Sequence, residues 1–477
     1  MSENRENKVI KAGAGYTIGN FLIRGLTFLT VSVYTRIMTQ HDFGEYSTFT
    51  SFEAIFSMLI GMAIHTSYKN AKYKYGKDYN KYVTSTVYLL IISTLSFLLL
   101  MNVLYLTKVL TLGFDLINTN ALLLYSASTA LIMCYNSYVA LEYEYQSYLK
   151  VAAANAIGNT VLSVLLILTV FKGNTLLGRV LGTTIPSALI GLYIIRYLCK
   201  DRDFRFPATL DFWKWGLIFS LPIIPHGLSQ VVLGQFGQIM IRDMIGSEQA
   251  AIFGFAYTIY LVVSVVVTSL TGVWEPWFYE QMSQDNRDKI RDVTRMFTLV
   301  MFAFCVCYMF VSPEVIRIFG PEKYSDSSYC AIPVIASGFF VFLFTFPSGI
   351  EYYHEKTRQI AVCTVIAAVT NVVLNYLLIP RYGYVAAAYT TLVTYILYFL
   401  LHYFIAAGIQ KEPLFDNKVF FVCGILMIAV MFVCLFMIKM TVVRWLIALA
   451  LFVITVVYVH KAIDQVKFIK AMVNRNQ

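Results

Sequence analysis

"VFFVCGILMIAVMFVCLFMI" (residues 419–438) carries no charged side chain over its whole length. At about 1.5 Å per residue, such a run crosses a hydrocarbon core of about 30 Å as a helix whose backbone polar groups satisfy one another. Runs of this kind recur along all 477 residues, of which 58% are hydrophobic and only 13% charged. A soluble domain carries about 25% charged residues. The chain therefore reads as an all-α polytopic membrane protein with about 14 transmembrane helices. The expected spans are 13–38, 43–67, 83–106, 116–140, 149–171, 175–198, 216–241, 250–273, 292–312, 329–350, 358–379, 384–407, 419–438 and 442–460. The polar opening "MSENRENKVIKAG" (1–13) does not read as a cleaved signal, because a full-length span follows it.

The net charge of +10 is explained by topology. With the amino terminus inside, the inside segments hold 26 of the 37 Lys and Arg, the outside loops hold 10, and Arg24 is the remaining one. Basic residues retained on the cytoplasmic side orient the chain, so both termini are expected to be cytoplasmic. The loop "YKNAKYKYGKDYNKY" (68–82) contributes most to this asymmetry. No nucleic-acid partner is needed to account for the charge. No loop is long enough for a separate domain; the longest candidate, 274–293, reads as a cytoplasmic helical connection.

Two nine-residue turns suggest an internal repeat: "MTQHDFGEY" (38–46) and "IGSEQAAIF" (245–253), offset by 207 residues. They map spans 1 and 2 onto spans 7 and 8. An even number of spans separates them, so the repeat is parallel, related by an axis along the membrane normal. The expected domains are residues 1–205 (an N-lobe of spans 1–6), 206–412 (a C-lobe of spans 7–12) and 413–477 (the appended spans 13 and 14 with a basic cytoplasmic tail).

Residues four apart share a helix face. Asn20 and Arg24 form such a pair in span 1; His226, Gln230, Gly234 and Gln238 form the matching stripe in span 7. Span 2 offers Glu53, Ser57, Gly61 and His65, and span 8 offers Tyr260, Ser264, Thr268 and Gly272. These faces are expected to line a polar cleft, which makes Arg24, Asn20, His226 and Gln230 the candidate substrate-binding residues. Arg24 stands near mid-bilayer, where a charge costs about 3 kcal/mol or more and so faces a partner or a hydrated cavity. Two readings stay open for it: an ion pair with Glu53, or presentation of a guanidinium to an anionic substrate. Glu53 and His65 are the candidate ion-coupling groups or charge partners. Pro222 and Pro225, in "SLPIIPHGLSQ" (220–230), are expected to bend span 7, as a gate or as a static kink.

Enzymatic signatures are weak. "DRD" (201–203) has the spacing of a sugar-nucleotide metal motif but sits in a short basic loop, and no phosphate-binding loop or metal cluster appears. Gly178 and Gly182 have the spacing that permits close helix packing. The eight cysteines are scattered and suggest no disulfide framework, and "CVC" (305–307) lacks a zinc partner set. No enzyme, metal or cofactor is expected; a coupling ion, H+ or Na+, stays unassigned.

Three stretches resemble polysaccharide flippases of the multidrug/oligosaccharidyl-lipid/polysaccharide exporter superfamily: "GNFLIRGLTFLTVSVYTRIMTQHDFGEYSTFTSF" (19–52), "FSLPIIPHGLSQ" (219–230) and "GVWEPWFYE" (272–280). Gly246 fits that family's turn, whereas Thr39, at the corresponding first-half position, departs from it. The resemblance implies a monomeric multi-pass protein of the bacterial plasma membrane that flips undecaprenyl-pyrophosphate-linked oligosaccharide repeat units to the outer leaflet by alternating access. Its implied partners are that lipid-linked substrate, membrane lipids and polysaccharide assembly proteins. The rival readings are a drug or metabolite cation antiporter of the same superfamily and a membrane-embedded polymerase or ligase. The antiporter would need more intramembrane acids; the enzyme would need a large external loop.

Overall fold

The computed structural model describes residues 19, 23, 25–199, 206–410 and 412–465. Among these residues every regular element is a helix and none is a strand. The first unit holds α1 (25–37), α2 (Gln40–Gly61), the short α3 (Tyr68–Tyr75), α4 (Tyr79–Leu106), α5 (Leu116–Leu141), α6 (Tyr145–Leu168), α7 (Thr175–Leu198), α8 (Phe206–Ser220) and α9 (Ile224–Ile245). After α10 (Ser247–Ser283) come α11 (Arg287–Phe319), α12 (Ser327–Leu343), α13 (Thr345–Tyr353), α14 (Thr357–Tyr382), α15 (Val385–Ile409), α16 (Asn417–Phe436) and α17 (Thr441–Gln465). The chain divides into two compact units after Ala251, inside α10.

Twelve helical stretches among the described residues are long and apolar enough to cross a membrane. Of the fourteen expected spans, the two outside that set are α1, described only in part, and α2. Helix α2 carries Asp42, Glu45 and Glu53, and it tolerates them because it packs against α5, α7 and α9 rather than lying open. Side chains such as Leu95, Leu99, Leu192, Ile425 and Ile454 are exposed, as lipid-facing positions require.

Local chemistry sets the helix starts. The Thr39 hydroxyl accepts the Asp42 amide at 3.0 Å, and Asp115 and Asn174 cap α5 and α7 in the same way. Gly182 of α7 lies so close to α6 that a Cβ there would stand 2.3 Å from the Ser163 Cα, which is the close packing its spacing suggests. All eight cysteines are free thiols.

Four expected boundaries move. Span 2 stops at Gly61, where Met62 and Ala63 adopt positive φ (49° and 48°), and His65 falls in a 3-10 turn, Ile64–Ser67, instead of extending the helix. The continuous span 7 is interrupted by a second 3-10 turn, Leu221–Ile223, with Pro222 inside it and Pro225 in the first turn of α9. Span 10 divides at Phe344 into α12 and α13. The helical connection expected over 274–293 is helix, and span 8 extends into it: α10 runs unbroken through Pro276 to Ser283 and leaves only 284–286 as a link. Trp274, 1% exposed, stacks on Phe278 and meets Phe346 edge-on, so aromatic burial offsets the hydrogen bond that Pro276 cannot make.

Packing and repeat describe the chain differently. The repeat assigns α8 and α9 to a second lobe, whereas their contacts place them in the first unit. There α8 packs on α4, with the Trp213 indole donating to the Ser85 carbonyl at 2.8 Å, and α9 packs on α2.

Candidate functional site: the α2–α9 seam

Helices α2 and α9 meet along a polar seam. At one end Arg242 is the central group. Its Nη1 lies 3.4 Å from Glu45 Oε2, its Nη2 donates to the Leu112 carbonyl at 2.7 Å, and its Nε donates to Asp243 Oδ1 at 2.8 Å. The guanidinium sits 4.9 Å from the Phe114 ring centre, and Ser247 Oγ donates to Glu45 Oε1. The Arg242 side chain is 6% exposed and that of Glu45 12%. Desolvated in this way, the pair must be fully hydrogen-bonded to persist, and it is.

Backbone approach brings these groups together. A Cβ on Gly44 would stand 1.8 Å from the Ser247 carbonyl oxygen and 3.0 Å from the Ala251 amide nitrogen. Gly44 and Ala251 are separated by the 207-residue repeat offset. Segments related by a twofold axis meet their own equivalents only beside that axis, so this contact agrees with the repeat. Gly246 has φ 119°, a conformation that favours glycine, whereas Thr39 takes an ordinary extended N-cap at φ −65°. The departure from glycine at position 39 therefore costs nothing.

Further along the seam Ser51 Oγ donates to Gln235 Oε1 at 3.1 Å, and Gln238 Nε2 donates to the Ala250 carbonyl at 2.8 Å. Glu53 follows on α2, beside Thr129 of α5, with Oε1 buried and without a hydrogen-bond partner among the described residues. On the α1–α7 side, the Arg179 guanidinium lies 3.7 Å from the Tyr34 ring centre and 4.4 Å from that of Tyr46, and its Nη1 donates to Ser163 at 2.8 Å. Its Nε is buried without a partner, and no acid forms a salt bridge with it among the described residues.

The sequence-derived candidates divide as follows. Asn20, Arg24 and the "DRD" segment lie outside the described residues. His226 and Gln230 are half-buried in the first two turns of α9, and Gly234 faces open space. Gln238 is the member of that stripe buried in the seam, and Gln235, which the stripe omitted, is its second contact. On α10, Thr268 and Gly272 are exposed. Arg179 and Arg242 were counted among outside-loop charges; both sit in helices, against aromatic rings.

Comparison with known proteins accords with this architecture. Residues 9–282 match the family described as polysaccharide biosynthesis proteins, and the chain belongs to that family. An uncharacterized membrane protein of Haemophilus influenzae is 22% identical over 370 residues, covering 75% of this chain and 87% of that protein. Among solved structures, the lipid II flippase MurJ in an inward closed conformation superposes with a TM-score of 0.69 at 15% identity, over 94% of this chain and 98% of MurJ. An inward-facing multidrug resistance MATE family transporter of the MOP superfamily gives 0.63 at 16% identity, over 83% and 99%.

Proposed function

We propose that the chain flips undecaprenyl-pyrophosphate-linked oligosaccharide repeat units from the cytoplasmic to the outer leaflet of a bacterial plasma membrane. It works as a monomer by alternating access, with both termini cytoplasmic. Membership of a polysaccharide biosynthesis family supports this reading, and so does a fold shared with a lipid II flippase. The observation that carries it is the α2–α9 seam: polar contacts of Glu45, Ser51, Gln235 and Gln238 inside an apolar helical protein, with Arg242 buried at one end. Guanidinium groups match phosphate oxygens in geometry and charge. In this reading Arg24, Asn20, His226 and Gln230 receive the headgroup. Glu53 and His65 take part in ion coupling, and the Pro222–Pro225 break lets α9 move. A membrane potential supplies about 2.3 kcal/mol per charge per 100 mV.

The fold shared with a MATE transporter supports the second reading, a drug or metabolite cation antiporter. One experiment separates them. Deleting the chain from its native host should remove surface glycan and accumulate lipid-linked repeat units in the cytoplasmic leaflet, with drug susceptibility unchanged. Unaltered glycan together with new drug sensitivity would favour the antiporter.

A further inference from the structure

We infer that Glu351 and His402 form a proton-binding dyad in the second unit, reached by water through a small cavity at the 410–417 end of that unit. Glu351 lies on α13 and His402 on α15, with Nδ1 2.6 Å from Oε1 and both side chains 0% exposed. The outer atoms of the pair, Glu351 Oε2 and His402 Nε2, are also buried and lack partners among the described residues. One proton on the Nδ1···Oε1 bond satisfies the inner atoms only. The pair is then singly negative, with a bare carboxylate oxygen and a bare ring nitrogen in a dry interior, an expensive arrangement. A second proton on Nε2 or Oε2 makes the dyad neutral. The exchange this geometry favours is therefore one proton per chain.

The immediate neighbours are aromatic rings and a thiol, and the other acid close by is Glu275. Phe344 stacks on the imidazole at 5.7 Å, and Tyr398 of α15 meets it edge-on at 4.5 Å with its hydroxyl engaged by Thr364 at 3.0 Å. Cys363 faces the dyad from α14 and Tyr352 from α13, with Glu275 and Tyr279 of α10 near Tyr352. Helix α12 carries no charged side chain, and no lysine or arginine pairs with Glu351 among the described residues.

A cavity of about 140 Å³ lies one helical turn away, lined by Ile350 and Pro347 of α13, Ala406 and Tyr403 of α15, and Gln410 and Glu412. Ile350 precedes Glu351, and Ala406 follows His402 by one turn. That volume holds several waters at about 30 Å³ each. Glu412 of that lining is 79% exposed and lies 3.5 Å from Arg287. Helix α13 follows α12 through Phe344, where the amides of Phe344 and Ser348 still make helical hydrogen bonds, so Glu351 sits in the last turns of one long helical span. That a charge change at Glu351 drives transport rests on the flippase reading; proton binding itself does not.

The test is pH-difference infrared spectroscopy of the purified full chain in lipid nanodiscs without substrate. Wild type should show a protonated-carboxyl band that appears and disappears as the pH is stepped. Glu351→Gln should abolish it, and His402→Gln should keep it but shift its midpoint. A wild-type spectrum without such a band overturns the proposal whether or not the variants fold; so does an identical titration in both variants. In chain-deleted cells, Glu351→Gln should lower surface glycan and His402→Gln should change its dependence on external pH. Failure of the cell assay with the spectral result intact would remove coupling, not the proton site.

Discussion

Arg242 of α9 and Glu45 of α2, 197 positions apart in sequence, form a nearly buried ion pair at 3.4 Å beside the Ser247 hydroxyl and the Leu112 carbonyl. Removing one partner leaves an uncompensated buried charge, at a cost of roughly 3 to 5 kcal/mol. Arg242→Ala is expected to lower the melting temperature of the purified protein and to expose the seam. A cysteine introduced at Ser51 should then label with a membrane-impermeant maleimide faster than in the parent. Unchanged labelling and melting would show that the pair does not hold this end closed.

Gly44→Ala should be disproportionately harmful for a single methyl group, because the added Cβ would overlap the Ser247 carbonyl, 1.8 Å away. Backbone, unlike a long side chain, cannot rotate aside. Loss of surface glycan with reduced thermal stability is expected, while Gly234→Ala, which faces open space, should behave as the parent.

The Arg179 guanidinium lies 3.7 and 4.4 Å from the Tyr34 and Tyr46 ring centres, contacts worth about 1 to 2 kcal/mol when desolvated. Arg179→Lys keeps the charge but loses the planar group and the fork. Complementation assays should show glycan production well below the parent for Arg179→Lys and near zero for Arg179→Met, with both proteins detected in membranes. Full activity of Arg179→Met would make this arginine purely structural.

For Arg24, the expected outcome is loss of surface polysaccharide in Arg24→Ala at normal expression and partial rescue in Arg24→Lys, scored by glycan staining beside an immunoblot. A fully active Arg24→Ala would remove this residue from the mechanism.

Arg444 ties α17 to α11. Its Nη1 donates to Glu314 Oε2 at 2.8 Å, Nη2 also binds that carboxylate, and Nε donates to the Met437 carbonyl at 3.1 Å. The Arg444 side chain is 0% exposed. Arg444→Ala should destabilise by roughly 3 to 5 kcal/mol, read as a lower melting temperature. Arg444→Ala combined with Glu314→Ala should be less damaging than the sum of the two single changes, since the ion pair they share is lost only once.

Much of the fold was legible from hydropathy, which is local and additive: a segment of twenty apolar residues demands a helix in lipid wherever it sits. The Gly178–Gly182 spacing was legible for the same reason, since it depends on order along the chain. Three-dimensional packing alone decided what the arginines near helix ends meet. Arg179, Arg242 and Arg444 look like ordinary basic residues at span ends, because their partners, Tyr34 and Tyr46, Glu45, and Glu314, lie on helices more than a hundred residues away. Helix ends were likewise settled by packing: α10 continues through Pro276 because buried Trp274 and Phe278 hold it, and α2 stops at Gly61 with no proline to announce it. Hydrophobicity is a property of the segment, but the pairing of a buried charge is a property of whichever segments the fold brings alongside.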